Sequence, residues 1–292
     1  MISIVTAYYN RKKLFCRTLE RLQQYAGNVD FEFIAVDDGS DEEERLEDLV
    51  ALFPFLKIIR LEKKDKWYRN PCIPFNVGIE HIRGDKVILQ NPECYHFDDV
   101  LSYVEKNLGA NRYLSFGCFS LDKENTDSDQ LFFNREHIEY LMNTENHVVL
   151  HDGGLGWYNH SKYRRAALHF CTAIMAEDLL DLGGFDPRFA WGHGYDDDEL
   201  IYRIRQKKMK IKFVDHVRVL HQNHYRGPVN QEVKYQNEFA ARNKSIYENI
   251  TKNTLSHRAN YLEFGDRKQL PAQNMISKVQ NGLMKVKQKI HL

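Results

Sequence analysis

Residues 191–200 read Trp-Gly-His-Gly-Tyr-Asp-Asp-Asp-Glu-Leu, so that an aromatic and two glycines are followed directly by the four successive carboxylates Asp196–Glu199. Crowded like charges lose solvation and repel one another unless they face water, a cation or a proton to be moved. One reading is structural. Acids favour a helix N-terminus, and Leu200, Ile201 and Ile204 supply an apolar stripe behind them. The preceding Trp-Gly-x-Gly adds a chemical reading, because glycines let backbone approach a ligand closely and an indole offers a flat wall for a sugar ring.

The elements that must position these residues follow from periodicity. Ile2–Thr6 reads as an apolar strand that stops at Ala7-Tyr8-Tyr9-Asn10, and Leu14, Leu19 and Leu22 continue at helical spacing. A second strand, Phe31–Val36, runs into Asp37-Asp38-Gly39-Ser40, after which Leu46, Leu49 and Leu52 recur in helical period. Residues 58–61 predict a third strand, Phe75–Ile82 a third helix and Lys86–Leu89 a fourth strand. Such a βαβαβαβ order predicts a parallel sheet whose ligands bind beyond the carboxyl ends of the strands. Thr6, Tyr8 and Asp38 are then expected at one crevice. A carboxylate there can accept the imide N–H of a uracil base while an aromatic ring stacks on the base face. A turn with a helix cap explains Gly39 and Ser40 equally well, but two adjacent aspartates at a strand end less well.

Thr6-Ala7-Tyr8-Tyr9-Asn10 and Val36-Asp37-Asp38-Gly39-Ser40 resemble the opening of the nucleotide-sugar-binding half of family-2 glycosyltransferases with the GT-A fold. The Trp-Gly-x-Gly-x-acidic stretch is similar to the acceptor-side motif of β-1,4-galactosyltransferases and polypeptide N-acetylgalactosaminyltransferases, and Gly183-Gly184-Phe185-Asp186 resembles the approach to it. The resemblance covers about residues 1–225. It implies an α/β fold with a mostly parallel central sheet flanked by helices, a donor half at 1–95, an acceptor half at 96–225 and a helical C-terminal extension at 226–292.

Carried over by position, the resemblance implies that Thr6, Tyr8 and Asp38 contact the uracil of a UDP-sugar. Arg69 and Asn70 with Pro74-Phe75-Asn76-Val77-Gly78 look like a segment near the donor's phosphates and sugar, so Arg69 and Asn76 are expected as donor contacts; a guanidinium pairs with phosphate in fork geometry. The metal motif Asp-x-Asp is replaced by Asn91-Pro92-Glu93. Glu93 keeps a hard oxygen ligand for Mn²⁺ or Mg²⁺, whereas Asn91, expected as a donor contact, lacks the first charge and also suits a turn. His221 is expected as a further metal ligand, with His224 the alternative. Matching Asp196-Asp197-Asp198-Glu199-Leu200 to the acidic pattern makes Asp197 the base of an inverting transfer, with Asp196 and Trp191 on the acceptor, a glycan or glycoconjugate hydroxyl.

Composition bounds the remaining choices. The chain has 292 residues, 42% of them hydrophobic, which is enough for a sizeable core, and its 41 basic and 41 acidic residues leave no global field that calls for nucleic acid. Five cysteines without paired metal-ligand spacing predict reduced thiols. An N-terminus without a signal-peptide pattern, and no apolar run near the ~18 residues a membrane span needs, predict a soluble cytoplasmic protein. Glycine-dense 152–156 with Trp157 and Tyr158 reads either as a loop closing over an acceptor or as a surface connection. Residues 273–292 carry an apolar stripe interspersed with lysines, which suits packing on the domain, a homodimer contact or a peripheral membrane contact. A nucleotide-sugar-binding protein with weak transfer, or one that only hydrolyses a UDP-sugar, stays open beside the transferase.

Overall fold

A computed structural model describes residues 1–224 and 229–259, with side chains outside 229–236. Strands β1 (Ile2–Tyr8), β2 (Phe31–Asp37), β3 (Leu56–Arg60) and β4 (Lys86–Gln90) pair in parallel in the order β3-β2-β1-β4. Helices α1 (Lys12–Gln23) and α2 (Cys72–Ile79) provide two of the crossovers. Every residue of β2 is buried, as expected of a parallel strand covered on both faces.

The helical period of Leu46, Leu49 and Leu52 does not produce a helix. Only 3₁₀ turns form, at Glu42–Glu44 and Glu47–Leu49, because Arg45 between them is extended (ψ 151°), and Leu52 is exposed. The carboxylate and carbonyl of Glu44 instead serve the start of α1. The backbone N–H of Lys12 donates to Glu44 Oε2 (2.7 Å), and the Tyr8 hydroxyl donates to the Glu44 carbonyl (2.7 Å).

Beyond β4 the chain runs through β5 (Cys94–His96), α3 (Val100–Asn107), β6 (Arg112–Ser120), the short helices α4 (Lys123–Asp127) and α5 (Asp129–Phe132), α6 (Arg135–Thr144), β7 (Gly156–Asn159), β8 (Cys171–Met175), α7 (Ala176–Leu182), α8 (Asp196–Gln206), β9 (Lys210–His221) and α9 (Val229–Asn253). These strands extend the sheet to β3-β2-β1-β4-β8-β6-β9-β5, with β7 on β6. β8 runs antiparallel to β4, β6 and β9 are parallel, and β5 returns antiparallel to β9 with Cys94 opposite His221. That last register sets Glu93 beside the end of β9.

Two apolar layers cover the sheet. Phe15, Leu19, Leu22 and Phe33 pack on the α1 side; Phe75, Ile79, Phe185, Phe189, Leu200 and Ile204 pack under α2 and α8. No helix among the described residues is long and apolar enough to cross a membrane. The amphipathic stretch 273–292, and with it the expected dimer or membrane contact, lies outside the described residues.

Gly78 sets how closely α2 approaches the sheet. A Cβ there would stand 2.4 Å from Val5 Cγ1 and 3.1 Å from Val36 Cγ2. Overpacking of this kind costs about 1–3 kcal/mol, so Gly78→Val is expected to lower the urea midpoint by about that amount of stability. An unchanged midpoint would show that α2 can lift off β1 and β2 freely.

Candidate active site

A cleft of about 400 Å³ opens beyond the carboxyl ends of β1, β2 and β4. Its first wall comes from the two strand ends singled out in the sequence, but not through all of the expected side chains. Strand alternation puts Tyr8 on the same face as Ile2 and Ile4, where its ring is fully buried 5.4 Å from Phe15. Tyr8 borders the cleft with its ring held in this packing, whereas Thr6 is buried outside the cleft lining. The exposed aromatic is Tyr9, the first residue past β1, which lines the cleft with Lys66 Nζ 5.1 Å from its ring centroid.

Asp38 does face the cleft. Its Oδ1 accepts from the Tyr68 hydroxyl (2.6 Å) and its Oδ2 from Lys66 Nζ (2.5 Å). Burial raises its pKa, and the Lys66 charge and the two hydrogen bonds oppose that rise. Its neighbour Asp37 turns inward instead, accepting from the Ser40 N–H (2.9 Å) and from Arg60 (2.5 Å). The two aspartates therefore have separate tasks, one closing the loop and one facing the cleft.

A second wall carries Glu93, His221 and His224. The turn Asn91-Pro92 sends Glu93 inward: the Asn91 N–H donates to the Phe170 carbonyl (3.2 Å) and the Asn91 carbonyl accepts from the Cys94 N–H (3.0 Å). Glu93 Oε1 lies 3.0 Å from His221 Nε2 and 3.4 Å from His224 Nε2, and its Oε2 accepts from Arg11 (2.8 Å). Burial alone would raise the Glu93 pKa, but the Arg11 charge and the two imidazoles more than offset it and hold the group well below the ordinary carboxylate range. One oxygen and two ring nitrogens, all within 4.8 Å of one another, form a mixed donor set that suits a divalent transition ion such as Mn²⁺. Asn91 lines the same cleft without adding a charge.

Helix geometry separates the four acidic side chains at the start of α8, since successive residues point about 100° apart. Asp196 is buried and accepts from Asn70 Nδ2 (2.8 Å). Burial raises its pKa and the Asn70 hydrogen bond opposes the rise. Asp197, whose side chain is 24% exposed, meets His169 Nδ1 through Oδ1. Asp198 is raised by burial, with Arg164 opposing, and Glu199 forms a buried pair with Arg203, which also donates to the Leu182 carbonyl (2.6 Å). Burial pushes His169 down to about 3, so its imidazole is neutral.

Asp196, held by Asn70, does not line the cleft, and neither does Asp197. The indole of Trp191 is 6% exposed and lies against Trp67 (centroids 5.5 Å apart), leaving no open face for an acceptor ring. Asn76, read as a donor contact, instead joins α2 to the Gly-Gly-Phe-Asp turn: its Nδ2 donates to the Phe185 carbonyl (2.8 Å) and its Oδ1 accepts from the Phe185 N–H (2.7 Å). Trp157 is likewise buried, against Phe119, whereas Tyr158 stacks on Phe170 and lines the cleft. Arg69 lines it too, with its guanidinium 4.3 Å from the Phe239 ring and its backbone N–H on the Ala190 carbonyl (2.8 Å).

The most consequential residue absent from the sequence reading is Asn243 of α9. Fully buried, it donates to the carbonyls of Phe189 (3.1 Å) and Gly194 (2.8 Å), thereby spanning the Trp-Gly-His-Gly loop. Gly192 allows that approach, since a Cβ there would fall 1.9 Å from Asn243 Oδ1. A signal was present: Phe239, Asn243, Ile246 and Ile250 follow helical spacing, and a polar residue on an apolar stripe marks a buried hydrogen bond. Each buried partner left unpaired costs about 1–3 kcal/mol, so Asn243→Ala is expected to lower unfolding stability by at least about 2 kcal/mol. Thermal or urea denaturation checks this, and a loss under about 0.5 kcal/mol, the scale of ordinary surface substitutions, would count against the brace.

Comparison with known proteins gives the family and the fold. Residues 3–168 match the model described as glycosyl transferase family 2, and residues 158–226 match one described as the N-terminal domain of galactosyltransferase. No curated protein matches the chain. Among solved structures it is similar to TarS of S. aureus, residues 1–349 in complex with UDP, at 16% identity over 75% of this chain and 59% of that one, TM-score 0.51. A longer TarS structure is matched at 15% identity over 94% of this chain and 43% of that one, TM-score 0.51. The mannosyltransferase PcManGT from Pyrobaculum calidifontis, in complex with GDP-Man and Mn²⁺, is matched at 15% identity over 77% and 58%, TM-score 0.48. This chain thus spans less than two thirds of the length of these structures. The TarS likeness shows the mixed α/β, GT-A-like fold with its mostly parallel central sheet and C-terminal helix. With more than half of its length matched by that family's model, the chain belongs to glycosyl transferase family 2.

Proposed function

We propose that the protein is an inverting transferase that moves a sugar from a UDP-sugar to a hydroxyl of a glycan or glycoconjugate. The observation that carries this reading is the single cleft that joins Asp38 and Tyr9 to Glu93, His221 and His224 beyond the strand ends. Tyr9 stacks on the uracil and Asp38 accepts its imide N–H, displacing or sharing the contacts now made by Lys66 and Tyr68. The solved complex of the similar TarS contains UDP, in line with that choice. Arg69 and Lys66, both in the cleft, supply positive charge for the diphosphate.

Glu93, His221 and His224 are the residues that would hold a divalent cation. Such an ion neutralises charge on the leaving diphosphate. As the acceptor oxygen attacks the anomeric carbon, the bond from that carbon to the UDP oxygen breaks and Asp197 takes the acceptor proton. A positioned base of this kind contributes about 10²–10⁴-fold.

A ligand that binds only the folded protein raises its melting temperature. UDP is expected to give a larger thermal shift than GDP or CDP, and Mn²⁺ to enlarge the UDP shift in the native chain but not in Glu93→Ala. Equal shifts for the three diphosphates would remove the uracil site, and indifference to excess chelator would remove the metal.

Turnover tests the base. Asp197→Asn keeps the side-chain shape but cannot accept the proton, so product formation over a panel of acceptors is expected to fall about 10²-fold or more with UDP affinity nearly intact. Retention of more than about a tenth of the native rate would move the base elsewhere.

A further inference from the structure

We propose that His169 is a positioning residue that donates its Nδ1–H to Asp197 Oδ1 and so fixes the carboxylate that accepts the proton. The inference rests on the reading of Asp197 as the base, and it adds a residue with no counterpart in the motifs of the sequence. His169 lies just before β8 and is buried, with its ring edge-on to Phe75 (4.7 Å, 82°) and to Phe185 (5.0 Å, 71°). Phe75 is part of the cleft wall and Phe185 is held by Asn76, so the imidazole is clamped between two fixed rings.

His169, Asp196 and Asp197 bring their ligand atoms within 4.8 Å of one another. Asp196 is already satisfied by Asn70, which leaves Asp197 as the partner of the imidazole. A partly exposed aspartate in the first turn of a helix would otherwise exchange rotamers and repel Asp198 beside it. A neutral N–H donor holds one carboxylate oxygen and leaves the other for the acceptor hydroxyl. Unlike a lysine or arginine at the same place, it adds no positive charge that would drain basicity from the carboxylate.

The experiment uses the full chain with Mn²⁺ and the UDP-hexose that gives the largest thermal shift, and follows UDP release with water as the acceptor. Variants are His169→Phe, which keeps an aromatic ring but has no N–H; His169→Asn, whose amide N–H sits near the place of Nδ1–H; and Asp197→Asn. His169→Phe is expected to lower kcat by up to about 10²-fold, the scale of a misplaced reacting group, with donor KM and melting temperature little changed. His169→Asn is expected to regain most of that loss. In ¹⁵N-histidine-labelled protein the resonance lost in His169→Phe is expected to belong to an Nδ1-protonated ring, and to shift in Asp197→Asn. A ring protonated only at Nε2, or a His169→Phe variant that turns over like the native chain while Asp197→Asn is inactive, overturns the inference. Activity retained by Asp197→Asn would overturn instead the assignment of the base on which it rests.

Discussion

A carboxylate as enclosed as that of Glu93 is tolerable only when positive or hydrogen-bonding groups surround it, because stripping an ion of water costs several kcal/mol. Much of the cleft wall is arranged around this constraint. Arg11 reaches it from the start of α1, and His221 and His224 reach it from the end of β9. Its own backbone carbonyl accepts from Gln222 Nε2 (3.0 Å), and the Gln222 carbonyl group accepts from Arg17 of α1 (3.0 Å). One buried charge thus joins the first strand–helix unit to the end of the last strand of the sheet, with Arg17 and Gln222 205 residues apart along the chain. Removing a partner would leave an uncompensated ion, which is why the wall of the cleft is built as a network.

The acidic start of α8 meets the same difficulty by a different route. Four carboxylates adjacent in sequence are separated in space by the helical turn, and each finds its own surroundings: an amide, an imidazole, an arginine at a distance and a bidentate ion pair. Glu199 and Arg203, both buried, carry the structural load, while Asp197 keeps partial exposure. Asp197 and Asp198 are thereby the two acids of the four that full burial has not taken.

Buried amides hold the two halves of the site to each other. Asn70 links the segment after β3 to Asp196, Asn76 links α2 to the turn at Phe185, and Asn243 links α9 to the loop at 189–194. Each satisfies backbone or carboxylate groups that would otherwise be costly to bury. The C-terminal helix is therefore part of the site's frame, and Phe239 extends that frame to Arg69 in the cleft.

By itself the sequence determined the four strands through residue 90 and two of the three helices expected between them, the placement of Asp38 and Glu93 at strand ends, the histidine pair at the end of β9 and the acidic helix start. All of these are local patterns of period, turn chemistry and charge. It also carries two quieter signals, the period-2 alternation that turns Tyr8 into the core and exposes Tyr9, and the apolar stripe that buries Asn243. The tertiary structure alone decided the rest. Whether Leu46, Leu49 and Leu52 made a helix depended on Glu44 being drawn to Lys12 and Tyr8. Whether Trp191 faced a ligand depended on Trp67, and whether Asn76 was free depended on a turn 109 residues on. The partners of Asp197 and Glu93 come from elements far apart in the chain, so no window of sequence holds both sides of those contacts. Spacing can say that a carboxylate stands at a strand or helix end, but only the packed sheet and its helices decide what stands opposite it.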